Sequence, residues 1–203
     1  MARRRRALPG LGLSLGITLA YLGLLVMIPL STIVWKTSEL SLQQFLDAIS
    51  SDRAIAAFGL SLVTALIAAA INAVMGVLVA WVLVRYEFPG RRLVDGMVDL
   101  PFALPTAVAG IALTATWAPN GVIGKYLHAI GIEGAYSRLG IVIALTFIGL
   151  PFVVRTVQPV LAAFDPHVEE AAATLGATRA QTFRRVILPA LRPAIVTGFA
   201  LAF

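Results

Sequence analysis

The residue types that do chemistry are present in this chain but do not combine into a catalytic site. His128 has no second ligand near it in sequence, which argues against a metal centre. There is no cysteine, so thiolate metal sites, a cysteine nucleophile and a disulfide scaffold are excluded. Gly121-Val122-Ile123-Gly124-Lys125-Tyr126 imitates a phosphate loop. Pro119 occupies the position of the first glycine, however, and Tyr126 replaces Ser or Thr. Gly10-Leu11-Gly12 with Gly16 imitates a dinucleotide loop, but four arginines rather than a strand precede it. No carboxylate dyad or nucleophile–base pair is read, so the chain is expected to be non-catalytic. What remains is a set of polar residues inside apolar stretches. Asn72 lies in one. The run Asp99-Leu100-Pro101-Phe102-Ala103-Leu104-Pro105-Thr106 opens another. Proline removes a donor and frees carbonyls, and irregular backbone at membrane depth is tolerated only inside protein or beside water. Asp99, Pro101, Pro105, Thr106 and Asn72 are therefore candidates for a pathway wall, with a packing kink as the equal alternative. Asp99 also fits a membrane interface, where its charge costs little. Arg155 reads as an interfacial snorkel in preference to an anion contact.

The elements that hold these residues follow from composition. Hydrophobic residues make up 59% and charged residues 13% of the chain, against about 45–50% and 25% in soluble domains. Mean hydropathy is +0.91. The expected fold is all-α, a polytopic helical membrane protein with four complete spans and a truncated fifth. The spans are read at about Leu13–Trp35, Ala54–Val84, Val94–Trp117 and Leu139–Val160, each near or above the ~20 residues that cross a bilayer. A fifth begins at about Ala194 and reaches only Phe203, which reads as a fragment of a longer protein. The second span is long enough to tilt or break. The fourth is interrupted by Gly149, Pro151, Arg155 and Pro159. Leu40, Leu42, Phe45, Leu46 and Ile49 predict an amphipathic helix at the outer surface between Lys36 and Arg53. Ser61 and Thr64 are expected to bond back to their own helix. Residues 1–12 form a basic N-terminal segment ahead of a transmembrane domain at 13–203; the apolar stretch that follows is too long for a cleaved signal.

The net charge of +6 is carried by 14 arginines and two lysines that cluster at span ends, a topology signal rather than a nucleic-acid surface. Twelve of these cations fall on the N-terminal side and only Lys36, Arg53, Lys125 and Arg138 on the other. The positive-inside rule then predicts a cytoplasmic N-terminus and a cytoplasmic loop after the fourth span.

That loop, Asp165–Pro193, is the longest polar interruption in the chain. Asp165 suits an N-cap and Pro166 the first helical position. Glu169 and Glu170 complement the helix dipole. Gly176 provides a stop with positive φ. Thr178 and Gln181 have capping-box spacing for a second helix. Pro189 and Pro193 mark the return towards an apolar segment. Two short helices on a tight turn at a membrane face would form a docking knob for a soluble partner, with an ordinary cytoplasmic loop carrying two stub helices as the equal alternative.

The same residues carry a family resemblance. Glu170-Ala171-Ala172, Gly176 and Val186-Ile187-Leu188-Pro189 resemble the EAA motif of ABC importer permeases, with Val186 where the family has Ile. Arg85–Trp117 and Gly140–Pro159 resemble the T-type permease subunit of bacterial sulfate/thiosulfate ABC importers; molybdate permeases are the competing resemblance. The resemblance implies a type I permease fold in the bacterial inner membrane and a pathway for the anion. It implies that Glu170, Ala171, Ala172, Gly176, Val186, Leu188 and Pro189 couple the chain to ABC ATPase subunits. The implied partners also include a second, W-type permease subunit, a periplasmic sulfate/thiosulfate-binding protein and membrane lipid, with no nucleic acid. No cofactor is implied in this chain, since ATP-Mg belongs to the partner ATPase. Two other classes compete. A secondary transporter or channel would carry intramembrane charge pairs and an internal repeat, neither of which is read here. A membrane scaffold would use the loop only to recruit a soluble protein.

Overall fold

The computed structural model describes residues 11–203. The basic start of the chain, and with it most of the expected N-terminal segment 1–12, lies outside the described residues. The described residues form helices and turns without a strand. They fall into two compact units, one ending at Ala57 and the other Phe58–Phe203.

In the first unit, α1 spans Leu11–Ser38, 28 residues, close to the expected first span. It contains one π turn, Gly23–Met27, just before Ile28-Pro29. Proline has no N–H and its ring crowds the carbonyl four residues back. Widening the turn to an i→i+5 bond, Ile28 N–H to Gly23 O, relieves that crowding without ending the helix. The amphipathic segment forms α2, Leu42–Ser50, opened by a Ser41–Gln44 capping box.

Helix α3, Asp52–Arg85, is one unbroken helix of 34 residues; the break entertained for the second span is absent. At 1.5 Å per residue it is about 50 Å long, longer than a ~30 Å hydrocarbon core. Tilt can take up the excess length. The third span is not one helix. It comprises α4 (Arg91–Val98), α5 (Leu100–Ala103) and α6 (Thr106–Trp117). The chain is extended at Leu104 and Pro105, ψ 133° and 136°, where the expected irregularity falls. The loop beyond α6 holds a short helix, α7 (Gly124–Ala129). Its phosphate-loop look-alike folds back on the carbonyl end of α6. A β-carbon at Gly121 or Gly124 would run into carbonyl oxygens there, and the Ile123 N–H donates to Thr116 O at 3.1 Å.

The expected interruptions of the fourth span do not interrupt it. Helix α8, Arg138–Ala162, runs continuously through Pro151 and Pro159. Each proline removes one hydrogen bond, and packing on neighbouring helices keeps the axis continuous. The chain then turns through α9, Pro166–Thr174, into α10, Arg179–Ala202. This corrects the start of the fifth span and the end of the second loop helix, because Pro189 and Pro193 do not stop it. The π turn Phe183–Ile187 precedes Leu188-Pro189, with the Leu188 N–H bonded to Phe183 O. It is the same accommodation used before Pro29.

Small residues let α3, α8 and α10 approach closely, the usual solution where lipid removes a hydrophobic drive between helices. A β-carbon on Gly76 of α3 would lie 2.6 Å from Val153 of α8. One on Gly198 of α10 would lie 2.8 Å from the Val153 Cα. Ala68, Ala69, Val153, Val154 and Leu191 are fully enclosed. The Thr64 hydroxyl bonds back to Leu60 O at 2.8 Å, as expected of it.

Candidate functional site

The Asp165–Pro193 element has the local structure its caps dictate. The Asp165 carboxylate accepts from the His167 N–H at 3.0 Å. That bond, followed by the His167 ring nitrogen at 2.7 Å, holds the Asp165 carboxyl below the usual carboxylate range. Gly176 ends the turn at φ +81°. Thr178 and Gln181 form a complete capping box, with the Gln181 N–H donating to Thr178 Oγ1 and the Thr178 N–H to Gln181 Oε1.

The seven residues assigned to coupling divide by exposure. Glu170, Ala171, Gly176 and Pro189 are exposed, while Ala172, Val186 and Leu188 are half-buried. Ile187, between Val186 and Leu188, is buried in the core with Leu191 and fastens α10 to α8. Leu175 is 87% exposed and Val168 43% exposed, so the knob presents apolar side chains to its surroundings. One contact anchors it. Glu169 of α9 pairs with Arg85 at the C-terminal end of α3. Arg85 also lies over the Trp81 ring, 5.4 Å from its centroid. Trp81 in turn meets Phe183 edge-on at 5.5 Å. Side chains in contact thus join α9 to α3, and α3 to the start of α10. Sequence reasoning placed Glu169 only as a dipole partner. Its real partner is 84 residues away, a distance no local pattern spans.

The pathway candidates occupy two levels. Asn72 is fully enclosed, and neither of its amide atoms has a hydrogen-bond partner. A β-carbon on Gly149 would collide with that amide and lie 3.3 Å from Ala202. Asn72 thus faces the helix interface, as expected for a polar residue at membrane depth. Asp99, Pro101, Pro105 and Thr106 lie elsewhere. Asp99 sits between α4 and α5, Pro101 within α5, Pro105 in the extended break and Thr106 at the start of α6. Gly149 and Arg155 are six residues apart on α8, about 9 Å along the axis.

Arg155 is the main correction. Its donors are all engaged by neighbouring side chains and backbone, so it does not stand free for an anion. Its Nε and one terminal nitrogen donate to the two Asp99 carboxylate oxygens at 2.9 and 2.6 Å. The same terminal nitrogen donates to the Asp95 carbonyl at 2.9 Å. The other donates to Asp95 Oδ1 at 2.7 Å and to Gln158 Oε1 at 2.6 Å. All five guanidinium donors are thereby used. Gln158 completes the ring by donating to Asp95 Oδ1 at 3.1 Å. The charge pairing and the carboxylate pair that sequence reading did not find are therefore present. The missed residues are Asp95 and Gln158. Their signal was available, because Asp95 and Asp99 are four apart and Arg155 and Gln158 three apart, each pair on one helical face. What joins the two faces is the packing of α4 and α5 on α8.

Comparison with known proteins follows this geometry. Residues 72–203 match the family described as the binding-protein-dependent transport system inner membrane component. The sulfate transport system permease protein CysT of Salmonella typhimurium is 49% identical over 199 residues, covering 98% of this chain and 72% of that protein. Its Escherichia coli counterpart is 49% identical over the same length. The Synechocystis protein of the same name is 49% identical over 187 residues, covering 92% of this chain and 65% of its own. A crystal structure of a bacterial ABC transporter involved in the import of the acidic polysaccharide alginate superposes with a TM-score of 0.69 at 20% identity. It covers 95% of this chain and 71% of that one, which establishes the fold.

Proposed function

Because the chain belongs to the binding-protein-dependent transport system inner membrane components, we propose that it is the T-type permease subunit of an ATP-driven importer of sulfate and thiosulfate. The observation that carries the substrate class is 49% identity to sulfate permeases across 98% of the chain. The chain supplies helices and a docking element, and ATP-Mg is held and hydrolysed on a partner ATPase.

In this reading the N-terminus and the α9–α10 turn face the cytoplasm. The exposed face of α9, with Glu170, Ala171 and Leu175, seats in a groove of the ATPase, a helix-in-groove contact. Closure of the ATPase dimer shifts α9. The Glu169–Arg85 pair and the Phe183–Trp81 contact pass that shift to α10 and α3. The bundle then exchanges between two arrangements whose populations the partner biases. A second, W-type permease subunit completes the pathway, and a periplasmic binding protein delivers the anion from outside.

The test is reconstitution of the chain with its candidate W-type subunit, ATPase and binding protein in liposomes. ATP hydrolysis and uptake of labelled sulfate are expected only when the binding protein carries sulfate or thiosulfate. Uptake of molybdate in place of sulfate would move the substrate assignment to the competing oxyanion. Uptake of any anion without ATP would overturn the importer reading.

A further inference from the structure

The Arg155 cluster belongs to a segment with unusual mechanical independence. Residues Arg91–Ala103, the two short helices α4 and α5, are set off on one side by Gly90 at φ +87°. On the other side the extended Leu104-Pro105 separates them from α6. Among the described residues a single turn bond, Arg91 N–H to Phe88 O at 3.2 Å, crosses the Gly90 boundary and no backbone bond crosses Leu104-Pro105, so the segment can pivot without bending α6. Little apolar burial holds it down. Val98 is buried, whereas Leu93, Met97 and Phe102 are exposed. Phe102 meets Phe152 of α8 edge-on, with ring centroids 5.1 Å apart. The remaining attachment to α8 is ionic, since Arg155 bridges Asp95 and Asp99 at 2.7 and 2.6 Å. These three side chains are 33%, 43% and 48% exposed. Solvent reaches them, which keeps the pairing reversible; a fully buried pair would be a static staple.

Resting on the importer reading, we propose that Arg155, Asp95 and Asp99 form an ionic latch that positions Arg91–Ala103 against α8 in one state of the transport cycle and releases it in the other. Engaged, the latch leaves Arg155 with no donor for an oxyanion, and two carboxylates face one guanidinium. The closed side therefore offers a dianion repulsion and no binding group. Released, the segment pivots at Gly90 and at Leu104-Pro105, and the guanidinium is uncovered. Arg155 is a positioning residue here, acting through the two carboxylates. Gln158 holds the Asp95 carboxylate in register.

The chain has no native cysteine, so Phe102→Cys with Phe152→Cys gives a clean reporter of the α5–α8 contact in the complete reconstituted complex. A short bifunctional maleimide should link the pair efficiently in one nucleotide state. The yield should fall severalfold in the other, compared between nucleotide-free and ATP–vanadate-trapped complex. Adding Asp95→Asn and Asp99→Asn should lower the yield in the engaged state to near that of the released state and leave the released state unchanged. Exchanging the charges, Arg155→Asp with Asp99→Arg, should restore part of the crosslinking, which a mere packing role would not do. A crosslink that is the same in both nucleotide states of an active complex, or one indifferent to the Asn substitutions, overturns the latch. A complex whose ATP hydrolysis never responds to the binding protein sinks the importer reading instead, so the two failures are told apart.

Discussion

Gly176 shows what a single residue contributes to the docking element. Nothing lies within 4 Å of where its β-carbon would be, so space is not the constraint. Its φ of +81° is, because an L side chain there costs about 1–3 kcal/mol, and a β-branched one falls at the upper end. Gly176→Val is expected to deform the α9–α10 turn, with loss of ATPase assembly or of ATP-coupled uptake while membrane insertion stays normal. Pull-down of the ATPase and an insertion assay on the same preparation check it; unchanged uptake by a fully assembled complex would remove Gly176 from the coupling machinery. Gly76 is the opposite case. It is a helical glycine whose β-carbon would press on Val153 at 2.6 Å. Gly76 and Gly149 were not singled out as sites because their meaning lies in what another helix brings against them.

At the scale of the element, caps and prolines govern the outcome. The Thr178–Gln181 box satisfies two donors at the start of α10. Thr178→Ala should cost about 1 kcal/mol, seen as faster amide exchange confined to residues 179–183, with the transmembrane part of α10 unchanged. Faster exchange throughout α10 would show that the box supports the whole helix. Most of this element was readable in the chain. Asp165, Pro166, Gly176, Thr178 and Gln181 all act through neighbours within four residues, and each took the predicted role. The prolines were harder to read. Pro29 and Pro189 are accommodated by a π turn, Pro151 and Pro159 are carried inside α8, and Pro105 accompanies a true break. The same residue gives three outcomes because its cost of one hydrogen bond and one steric clash is met differently by the surrounding helices.

For the whole molecule, the prediction concerns orientation. The distribution of arginines argues for a cytoplasmic α9–α10 turn and an external α6–α8 loop. In spheroplasts, a membrane-impermeant maleimide should label Val122→Cys, which replaces a side chain 73% exposed. It should label Leu175→Cys only after permeabilisation. The reverse pattern would invert the topology and remove the ATPase from the α9 face. The many exposed apolar side chains on α3 and α10 fit helices that meet lipid as well as protein.

Hydropathy and the capping residues by themselves determined an all-helical membrane protein with a capped two-helix turn ahead of its last helix, and the Glu170–Pro189 pattern carried the family resemblance. Those properties are local or additive along the chain, and local chemistry suffices to specify them. Only the tertiary structure decided which prolines break a helix, that Glu169 anchors to Arg85, and that Arg155 is held by Asp95 and Asp99. The last two depend on residues 56 to 84 positions apart meeting across packed helices. Such a meeting is set by which glycines and alanines let the helices close together, a property of pairs of surfaces that no single stretch of sequence carries.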